Sequence, residues 1–497
     1  MRNSVHLVTY VDRLGEGRIA ELAALLRGPL NGLFGGVHLL PFFFPIDGAD
    51  AGFDPIDHTQ VDRRLGQWGD VRALADEIEV MADLIVNHIS SRAPQFHDFL
   101  RNGSHSSYSG LFLTAEAVFP QGPSAFELNA IYRPRPGAPF TTYTLDNGEQ
   151  RVLWTTFTPQ QIDIDVRHPE GAAYLDRILR TFAENHVGSV RLDAVGYAIK
   201  RAGTSCFLLP ETIAFIGELS QRAQALGIDV LVEVHSHYRK QIEMAKRVRW
   251  VYDFALPPLV LHAFAFRTAK YLRHWIEIRP TNSVTVLDTH DGIGILDVGP
   301  DRSDEHAPGL IPSPELDQLL ERIHLNSSGQ SRLATGASAS NLDLYQVNCT
   351  FYDAMGRNDL SYLLARAIQF FLPGIPQVYY VGLLAGHNDM ELLAQTGIGR
   401  DINRHFYSRG EVERALQRPV VQDLVRLIRL RNSHAAFGGR FRMEPGADDS
   451  VSLRWDRGFE FAHLQVWFED LRYRLEISAD GSVEPFILEC AARARDE

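Results

Sequence analysis

Val187-Gly-Ser-Val-Arg-Leu-Asp193 is one of three short apolar runs in this chain that end on a carboxylate. The other two are Val230-Leu-Val-Glu233 and Val284-Thr-Val-Leu-Asp288-Thr-His-Asp291. Each run is rich in Val and Leu and is bounded by polar residues or Gly, which is typical of a buried strand in a parallel sheet. Roughly 40 and then roughly 60 residues separate the three carboxylates, which fits one and then two strand–helix–strand units.

These three carboxylates point to a shared site. In a closed β/α barrel the C-terminal ends of all the strands converge on one face, and active sites lie on that face. Asp193, Glu233 and Asp291 would therefore meet in one pocket although they are far apart in the sequence. Glycosyl transfer uses two carboxyl groups in this way, here with a third to assist them.

Length, composition and charge limit the remaining classes of protein. A chain of 497 residues is too long for one simple core, which favours a barrel of roughly 250 residues or more with appended modules. Hydrophobic residues make up 45% and charged residues 22%, as in ordinary soluble globular proteins. The formal net charge of −13 argues against nucleic acid or an anionic membrane as a partner. An anionic substrate would need a local basic patch.

Cysteine usage and the first residues indicate the compartment. Cys206, Cys349 and Cys490 show neither metal-type nor redox spacing and cannot all pair, which suits a reducing cytosol. The chain runs from Met1 directly into a strand-like segment with no apolar targeting core, and its other apolar stretches are too short to span a bilayer. We therefore expect a cytoplasmic protein.

Strand-like and helix-like segments alternate along the chain, with two interruptions. The first three strands are predicted near Val5–Val11, Gly36–Pro41 and Ala82–His88, and the fourth comes only after almost 100 residues. Residues 93–165 are turn-rich and predict a subdomain inserted after the third strand, and residues 298–355 a second insertion after the seventh. The barrel then comprises residues 1–92, 166–297 and 356–435. Short alternating segments in 436–497 predict a small antiparallel β domain.

Four motifs carry a family resemblance. Arg191-Leu-Asp193, Glu233-Val-His235, Leu287-Asp-Thr-His-Asp291 and Asp83-Leu-Ile-Val-Asn-His88 resemble the four signature regions of the α-amylase superfamily of glycoside hydrolases and transglycosylases. Longer stretches resemble the sucrose phosphorylase group within it: Pro41–Pro45, Tyr132–Gly137, Phe157–Asp163, Ala202–Phe207, Ser340–Gln346 and Gly399–Arg404. The resemblance implies an α/β protein, a (β/α)8 TIM barrel with subdomains inserted after strands 3 and 7 and a small C-terminal antiparallel β domain.

The resemblance also implies a reaction. This is the reversible phosphorolysis of sucrose to α-D-glucose 1-phosphate and D-fructose, with retained configuration and a covalent glucosyl-enzyme. By the same match Asp193 is the nucleophile, Glu233 the general acid and then base, and Asp291 the transition-state stabiliser. Arg191 lies two residues before Asp193 on the same side of the strand, so we expect its charge to lower the pKa of that carboxylate. No cofactor and no metal is expected, since 93–165 holds no compact Asp/Asn cluster that would complete a calcium site with Asn87.

Substrate-binding residues follow from the same match. The glucosyl ring is expected to contact His88 and His290, with aromatic faces from Phe53, Phe157 and Tyr197 and a pocket closed by Asp50 and Arg400. The site for phosphate and fructose is expected to contain Arg135, His235, Asp343, Leu344, Tyr345 and Gln346. Tyr132, Gln160 and Arg191, which lie in the matching stretches, complete the predicted set.

Several alternatives stay open at this point. A sister phosphorylase acting on sucrose 6′-phosphate, glucosylglycerate or glucosylglycerol would share the three carboxylates and differ mainly in its acceptor loops. A sucrose hydrolase or transglucosylase would release free glucose or lengthen a glucan. A catalytically dead sugar-binding barrel would need a broken carboxylate set, and this set is intact. The sequence does not decide the oligomeric state, with a homodimer among the options.

Overall fold

A closed barrel of eight parallel strands forms the centre of the molecule, which confirms the predicted fold class. The computed structural model describes residues 1–48, 50–133, 137–301, 307–335, 346–480 and 486–490. Neighbouring strands in the barrel follow chain order, and the first strand pairs with the eighth to close it. The strands are β1 His6–Thr9, β2 Gly36–Leu39, β3 Glu79–Ile85, β4 Ser189–Asp193, β5 Asp229–Val232, β6 Trp250–Asp253, β7 Ser283–Thr285 and β8 Ile375–Tyr379.

The registers of the central strands bring two of the carboxylates to the same edge. All five residues of β4 are buried, as expected for a strand covered on both faces. Asp193, the last residue of β4, lies opposite Ile85 of β3, and Leu192 lies opposite Val232, the last residue of β5. Glu233 directly follows β5, so the two carboxylates lie at adjacent strand ends on the C-terminal face of the barrel.

Helices connect the strands and surround the barrel. Several of them begin with Pro at the first helical position, where the missing N–H costs no hydrogen bond. The α-helices are Ile19–Arg27, Trp68–Ala75, Pro94–Asn102, Ala115–Val118, Ala125–Ala130, Pro169–Glu184, Pro210–Ala225, Tyr238–Ala245, Leu256–Phe266, Lys270–Ile278, Ser313–Asn326, Gln330–Thr335, Phe351–Ala354, Asp359–Phe371, Tyr380–Leu383, Met390–Thr396, Arg409–Ala415 and Pro419–Ser433. Single 3₁₀ turns are Gly103–His105, Val195–Tyr197, Gly399–Asn403 and Ala435–Gly438.

Short antiparallel pairs of strands lie in the segments that follow β2, β3 and β7 of the barrel. After β3, His88–Ser90 pairs with Gln161–Asp163, and Phe140–Thr144 pairs with Gln150–Trp154. After β7, Ile293–Gly294 pairs with Gln346–Val347. A further pair, Phe43–Phe44 with Asp57–Val61, follows β2. The two larger excursions come after β3 and β7, where the sequence predicts insertions, and the domain bounds given above stay predictions.

The C-terminal region forms one antiparallel sheet of five strands, which matches the predicted β domain. Its strands are β9 Arg440–Met443, β10 Ser450–Arg457, β11 Glu460–Trp467, β12 Arg472–Ile477 and β13 Phe486–Cys490. The indole N–H of Trp455 in β10 donates to the carbonyl oxygen of Phe371 at 2.7 Å, which ties the sheet to a barrel helix. Buried apolar side chains of the barrel and of the sheet belong to a single core cluster.

Some element bounds differ from the prediction. The third strand runs over Glu79–Ile85 instead of Ala82–His88, because His88 already pairs with the inserted segment. The helix Trp68–Ala75 precedes β3, and Gln67 and Asp70 form a capping box that fixes its start. β7 ends at Thr285, so Asp291 is reached through a further stretch of loop. Within the described residues, no helix is both long and apolar enough to cross a membrane.

Candidate active site

The guanidinium group of Arg191 holds three carboxylates together at the end of the barrel. Its Nη1 donates to Asp83 at 2.5 Å and to Asp193 at 2.9 Å, and its Nη2 lies 2.9 Å from Oε1 of Glu233. The Arg191 side chain is 2% exposed, so these charges interact in a medium that screens them weakly. The backbone N–H of Ala194 donates to Glu233 at 3.2 Å and fixes the second oxygen of that carboxylate.

The predicted lowering of the pKa of Asp193 is wrong. Burial raises it, and the neighbouring carboxylates of Glu233, Asp83 and Asp291 raise it further. Arg191 does act in the expected direction, but one guanidinium group shared among three carboxylates cannot outweigh these effects, and the pKa of Asp193 lies well above its ordinary value.

The pKa of Asp291 is lowered, in contrast to that of Asp193. Arg400 donates to it from Nη1 at 2.6 Å and to Asp50 from Nη2 at 2.6 Å, so one guanidinium bridges two carboxylates. Burial alone would raise the pKa of Asp291, and a charged His290 would lower it. Burial, however, lowers the pKa of His290 to about 3, so that ring is neutral at neutral pH. Arg400 and Arg404 then keep the pKa of Asp291 well below its ordinary value.

Two histidines and an aromatic ring line the inner wall of the pocket. The ring of His290 stacks on Phe53 with 4.9 Å between centroids and 11° between planes. Nε2 of His88 lies 2.9 Å from the carbonyl oxygen of Phe53, and the Arg191 guanidinium lies 5.5 Å from the Phe53 ring. Phe53 thus presents a rigid apolar face beside buried hydrogen-bonding groups, an arrangement that suits the C–H and O–H faces of a sugar.

His235 lies next to the Glu233 carboxylate, and Gln346 lies next to His235. Nδ1 of His235 is 3.0 Å from Oδ2 of Asp297, and its Nε2 is 4.0 Å from Oε1 of Glu233. The Gln346 side-chain nitrogen lies 3.4 Å from the same Nε2. A molecule leaving or approaching the glucosyl position next to Glu233 would meet these two side chains.

One cavity joins these groups, and its interior volume is about 100 Å³. Many of the residues that line it were predicted from the sequence, namely Asp50, Phe53, His88, Phe157, Asp193, Tyr197, Glu233, His235, His290, Asp291, Gln346 and Arg400. Predicted residues from the barrel strands and from distant loops therefore face one another around one cavity.

Glu233, His235 and Asp291 offer three oxygen and nitrogen atoms within 4.8 Å of one another, which is close enough to share a metal ion. The charges nearby argue against that use. Glu233 is already paired with Arg191 and Asp291 with Arg400, so a cation would have to displace or face these guanidinium groups. The atoms are better suited to proton transfer and to holding a polar substrate.

The side chain of Asn87 contacts a buried lysine. The Lys200 ammonium donates to its side-chain oxygen at 2.8 Å and also forms an ion pair with Asp163. Lys200 is 2% exposed, so this positive charge is fixed in the interior between β3 and the inserted segment.

Comparison with known proteins agrees with this geometry. Residues 33–247 match the family model described as the catalytic domain of alpha-amylase. A sucrose phosphorylase of Agrobacterium vitis is 60% identical over 97% of this chain and 98% of its own length. Another, of Bifidobacterium adolescentis, is 53% identical over 95% of this chain and 93% of its own. The chain belongs to the sucrose phosphorylase family.

A solved structure of this family has the same fold. The crystal structure of sucrose 6F-phosphate phosphorylase from Thermoanaerobacter thermosaccharolyticum superposes with a TM-score of 0.90 at 37% identity, and the match covers 98% of each chain. The family is thus established over almost the full length of the chain, including the C-terminal sheet, where the sequence motifs are weakest.

Some predicted site residues lie elsewhere or outside the described part of the chain. Gln160 is exposed and does not line the cavity, and its backbone carbonyl accepts from the N–H of Ser91. Tyr132 lies behind the cavity wall, where its ring packs on Tyr197 at 5.9 Å between centroids. Four predicted residues of the phosphate and fructose site fall outside the described residues: Arg135, Asp343, Leu344 and Tyr345.

Phe207, Gln161 and Asp297 are among the residues near the site that were not predicted as site residues. Phe207 lines the cavity and stacks on Tyr132 at 4.5 Å, although it closes one of the family-like stretches. Gln161, next to the predicted Gln160, is buried, and its side-chain nitrogen lies 3.1 Å from Nε2 of His88. Asp297 lies six residues beyond Asp291 and contacts His235. Strand alternation could have favoured Gln161 over Gln160, and the family-like stretch Ala202–Phe207 could have drawn attention to Phe207, whereas no sequence signal marks Asp297.

Proposed function

We propose that this chain catalyses the reversible phosphorolysis of sucrose to α-D-glucose 1-phosphate and D-fructose. One observation carries the proposal: Asp193 and Glu233 line one cavity and share a single guanidinium group, in a chain that is 60% identical to a sucrose phosphorylase. Both carboxylates bind nitrogens of the same compact group, which is compatible with the separation of about 5–5.5 Å that retaining enzymes use.

The first half-reaction uses the two carboxylates in different protonation states. Asp193, as carboxylate, attacks the anomeric carbon of the glucosyl unit while the glycosidic C–O bond breaks. The proton of the Glu233 carboxyl group goes to the fructosyl oxygen, so fructose leaves neutral and a glucosyl ester of Asp193 is formed.

In the second half-reaction an oxygen of inorganic phosphate attacks the same anomeric carbon. The Glu233 carboxylate takes the proton of the attacking oxygen, the ester bond to Asp193 breaks, and glucose 1-phosphate leaves with retained configuration. Two inversions at one carbon give net retention. The cluster is then returned to its starting protonation state.

The closed end of the pocket supports a donor with a single glucosyl unit. The bridge from Asp50 through Arg400 to Asp291 lies across the cavity, and both carboxylates are held at 2.6 Å by that guanidinium. Asp291 is kept ionised and is positioned to interact with sugar hydroxyl groups as positive charge develops on the ring. A longer glucan chain would have to displace this ion-pair bridge.

A direct assay tests the proposal. The purified chain is incubated with sucrose and inorganic phosphate, and glucose 1-phosphate and free glucose are measured by separate coupled reactions. We expect glucose 1-phosphate in clear excess, and free glucose only when phosphate is omitted. Parallel incubations with sucrose 6F-phosphate, glucosylglycerol or glucosylglycerate test the sister activities. Faster phosphorolysis of one of these, or free glucose as the main product with phosphate present, would contradict the proposal.

The partners and location that we propose follow from this reaction. Sucrose, phosphate, fructose and glucose 1-phosphate are the expected small-molecule partners. Cys206 and Cys349 are buried free thiols, which supports a reducing compartment such as the cytoplasm. Fractionation of cells that produce the chain would test the location.

A further inference from the structure

The ring of His235 is fixed by contacts on two sides. Its Nδ1 lies 3.0 Å from Oδ2 of Asp297, and its face stacks on Phe254 with 3.8 Å between centroids and 16° between planes. The remaining ring nitrogen, Nε2, faces Glu233 and Gln346 in the cavity. A hydrogen bond to one ring nitrogen fixes both the orientation of an imidazole and the use of its other nitrogen.

Asp297 is held in place by contacts of its own. Its side chain is fully buried, and its Oδ1 accepts from the backbone N–H of Ser236 at 3.1 Å and from the side chain of Gln241 at 2.7 Å. A Cβ atom at Gly294 would lie 2.2 Å from Oδ2, so only Gly at that position lets the carboxylate reach the ring. Asp297 does not line the cavity and acts only through His235.

The charges around His235 favour its cationic form. Burial alone would lower the pKa of His235, but Asp297 raises it through its charge and its hydrogen bond, and the carboxylates of Glu233 and Asp291 raise it further. The pKa of His235 is therefore above its ordinary value of 6.5. Because a raised pKa favours protonation, the positive charge persists to higher pH than in an ordinary histidine and is lost as the pH rises through this raised pKa.

We propose that Asp297 is a positioning residue that holds His235 as a fixed cation on the acceptor side of the cavity, where it receives the incoming phosphate. The inference rests on the proposed function, because it concerns the second half-reaction. In a chain of net charge −13, attraction of a phosphate anion has to come from groups inside the site. A buried ion pair supplies a positive charge at a fixed position beside the general base.

The kinetic test replaces the carboxylate with a neutral amide of the same shape. Asp297→Asn should raise the KM for phosphate by roughly 10- to 100-fold at neutral pH. Without the carboxylate charge the His235 ring is no longer held as a cation, so phosphate loses a hydrogen bond to a charged group. Exchange of glucosyl units with fructose, an uncharged acceptor, should change much less. This ratio of variant to wild-type KM should become smaller when the pH is raised above the pKa of His235, because the wild-type ring is then neutral too.

Two comparisons separate positioning from a loss of structure. Gln241→Met removes a neutral partner of Asp297 but leaves the carboxylate charge and the backbone N–H of Ser236 in place, so it should raise the phosphate KM much less than Asp297→Asn does. In the double variant Asp297→Asn/His235→Gln, the Asp297 change should add nothing to the effect of His235→Gln, since both changes remove the same cation. Equal losses with phosphate and fructose, or additive effects in the double variant, would overturn the proposal.

A spectroscopic measurement tests the pair without relying on turnover. The chain is labelled with [¹³C]histidine, and the His235 signal is assigned by its absence in His235→Gln. The pH at the midpoint of the titration of this signal should lie above 6.5 in the wild type and should be lower in Asp297→Asn. A wild-type midpoint below 6.5 would refute the proposal even if Asp297→Asn did not fold. If the expected midpoint is found but no glucose 1-phosphate is formed, the ion pair stands and the proposed reaction fails.

Discussion

At the scale of single residues, one guanidinium group has to balance three carboxylates. Arg191 contacts Asp83, Asp193 and Glu233, and all of them are buried or nearly so. Such a set is more stable when it keeps a proton, which is why the pKa of Asp193 is raised by burial and by its carboxylate neighbours. The proposed reaction needs one proton in the pair of Asp193 and Glu233, and the protons of a strongly coupled pair belong to the pair and not to either residue alone.

Replacement of the proposed nucleophile is the most direct test at this scale. Asp193→Asn keeps the shape of the side chain but removes the attacking oxygen charge, so turnover of sucrose should fall by roughly 10⁴-fold or more. Initial rates of glucose 1-phosphate formation measure the loss, and mass spectrometry of the protein during turnover tests for the glucosyl adduct. A tenth of wild-type activity in a rigorously purified sample would rule out Asp193 as the nucleophile.

The proposed acid and base role of Glu233 predicts a dependence on the leaving group. Glu233→Gln cannot protonate fructose, so sucrose should react very slowly. Glucosyl fluoride needs no proton to depart, and with this donor the formation of the glucosyl-enzyme should be impaired far less. Rates of fluoride release and of fructose release are compared in the same preparation. A similar loss with both donors would indicate that Glu233 is needed for structure or binding instead.

At the scale of elements, the strands of the barrel were largely predictable and the loops were not. Runs such as Val187–Asp193 and Val230–Glu233 predict strands because both faces of a parallel strand are buried and the apolar pattern is continuous. The strand predicted over Val284–Asp291 was too long, because β7 ends at Thr285 and Asp291 lies in the loop that follows. Apolar character alone cannot tell a strand from a buried loop that continues it.

The same limit applies to the candidate site. Family motifs predict the residues at strand ends, but Phe207 and Asp297 approach the cavity from loops whose path depends on packing between distant segments. The direction of the pKa shift of Asp193 was predicted wrongly because its sequence neighbour Arg191 is visible, whereas the number of carboxylates that share Arg191 emerges only from the fold.

The entry into β8 gives a test at the element scale. Gly374 has φ of +117° and lies directly before the strand, and a Cβ there would be 2.1 Å from the backbone carbonyl oxygen of Ser283 in β7. Gly374→Ala should therefore reduce the free energy of unfolding by at least about 2 kcal/mol, since both strain and a backbone clash are introduced. Denaturant unfolding measures the change.

Gly217 is the matched control for this substitution. It lies within the helix Pro210–Ala225, and a Cβ there would meet no atom within 4 Å. Gly217→Ala should leave the free energy of unfolding unchanged or raise it by about 0.4–1 kcal/mol, because Ala restricts the unfolded chain. If both alanine variants behaved alike, the close approach between β7 and β8 would not be the cause.

At the scale of the whole molecule, the barrel and the C-terminal sheet share one core. Besides its hydrogen bond to Phe371, Trp455 packs near Phe437 and Phe441, with ring centroids 6.0 Å and 5.4 Å away. Phe371, at the end of a barrel helix, packs edge-on against Phe437 at 5.1 Å. Because these aromatic side chains are buried between the two parts, separation would expose apolar surface of both.

Trp455 therefore predicts how the whole chain unfolds. Trp455→Ala removes a buried indole and its hydrogen bond and should lower the free energy of unfolding by roughly 3–5 kcal/mol. Because the core is shared, activity and the far-ultraviolet signal should be lost together, in one transition at a lower temperature. Trp467→Ala is the control, since Trp467 is only partly buried and its ring lies 5.0 Å from the Arg472 guanidinium instead of facing the barrel. If part of the far-ultraviolet signal were lost at a lower temperature than the activity, the sheet and the barrel would unfold separately.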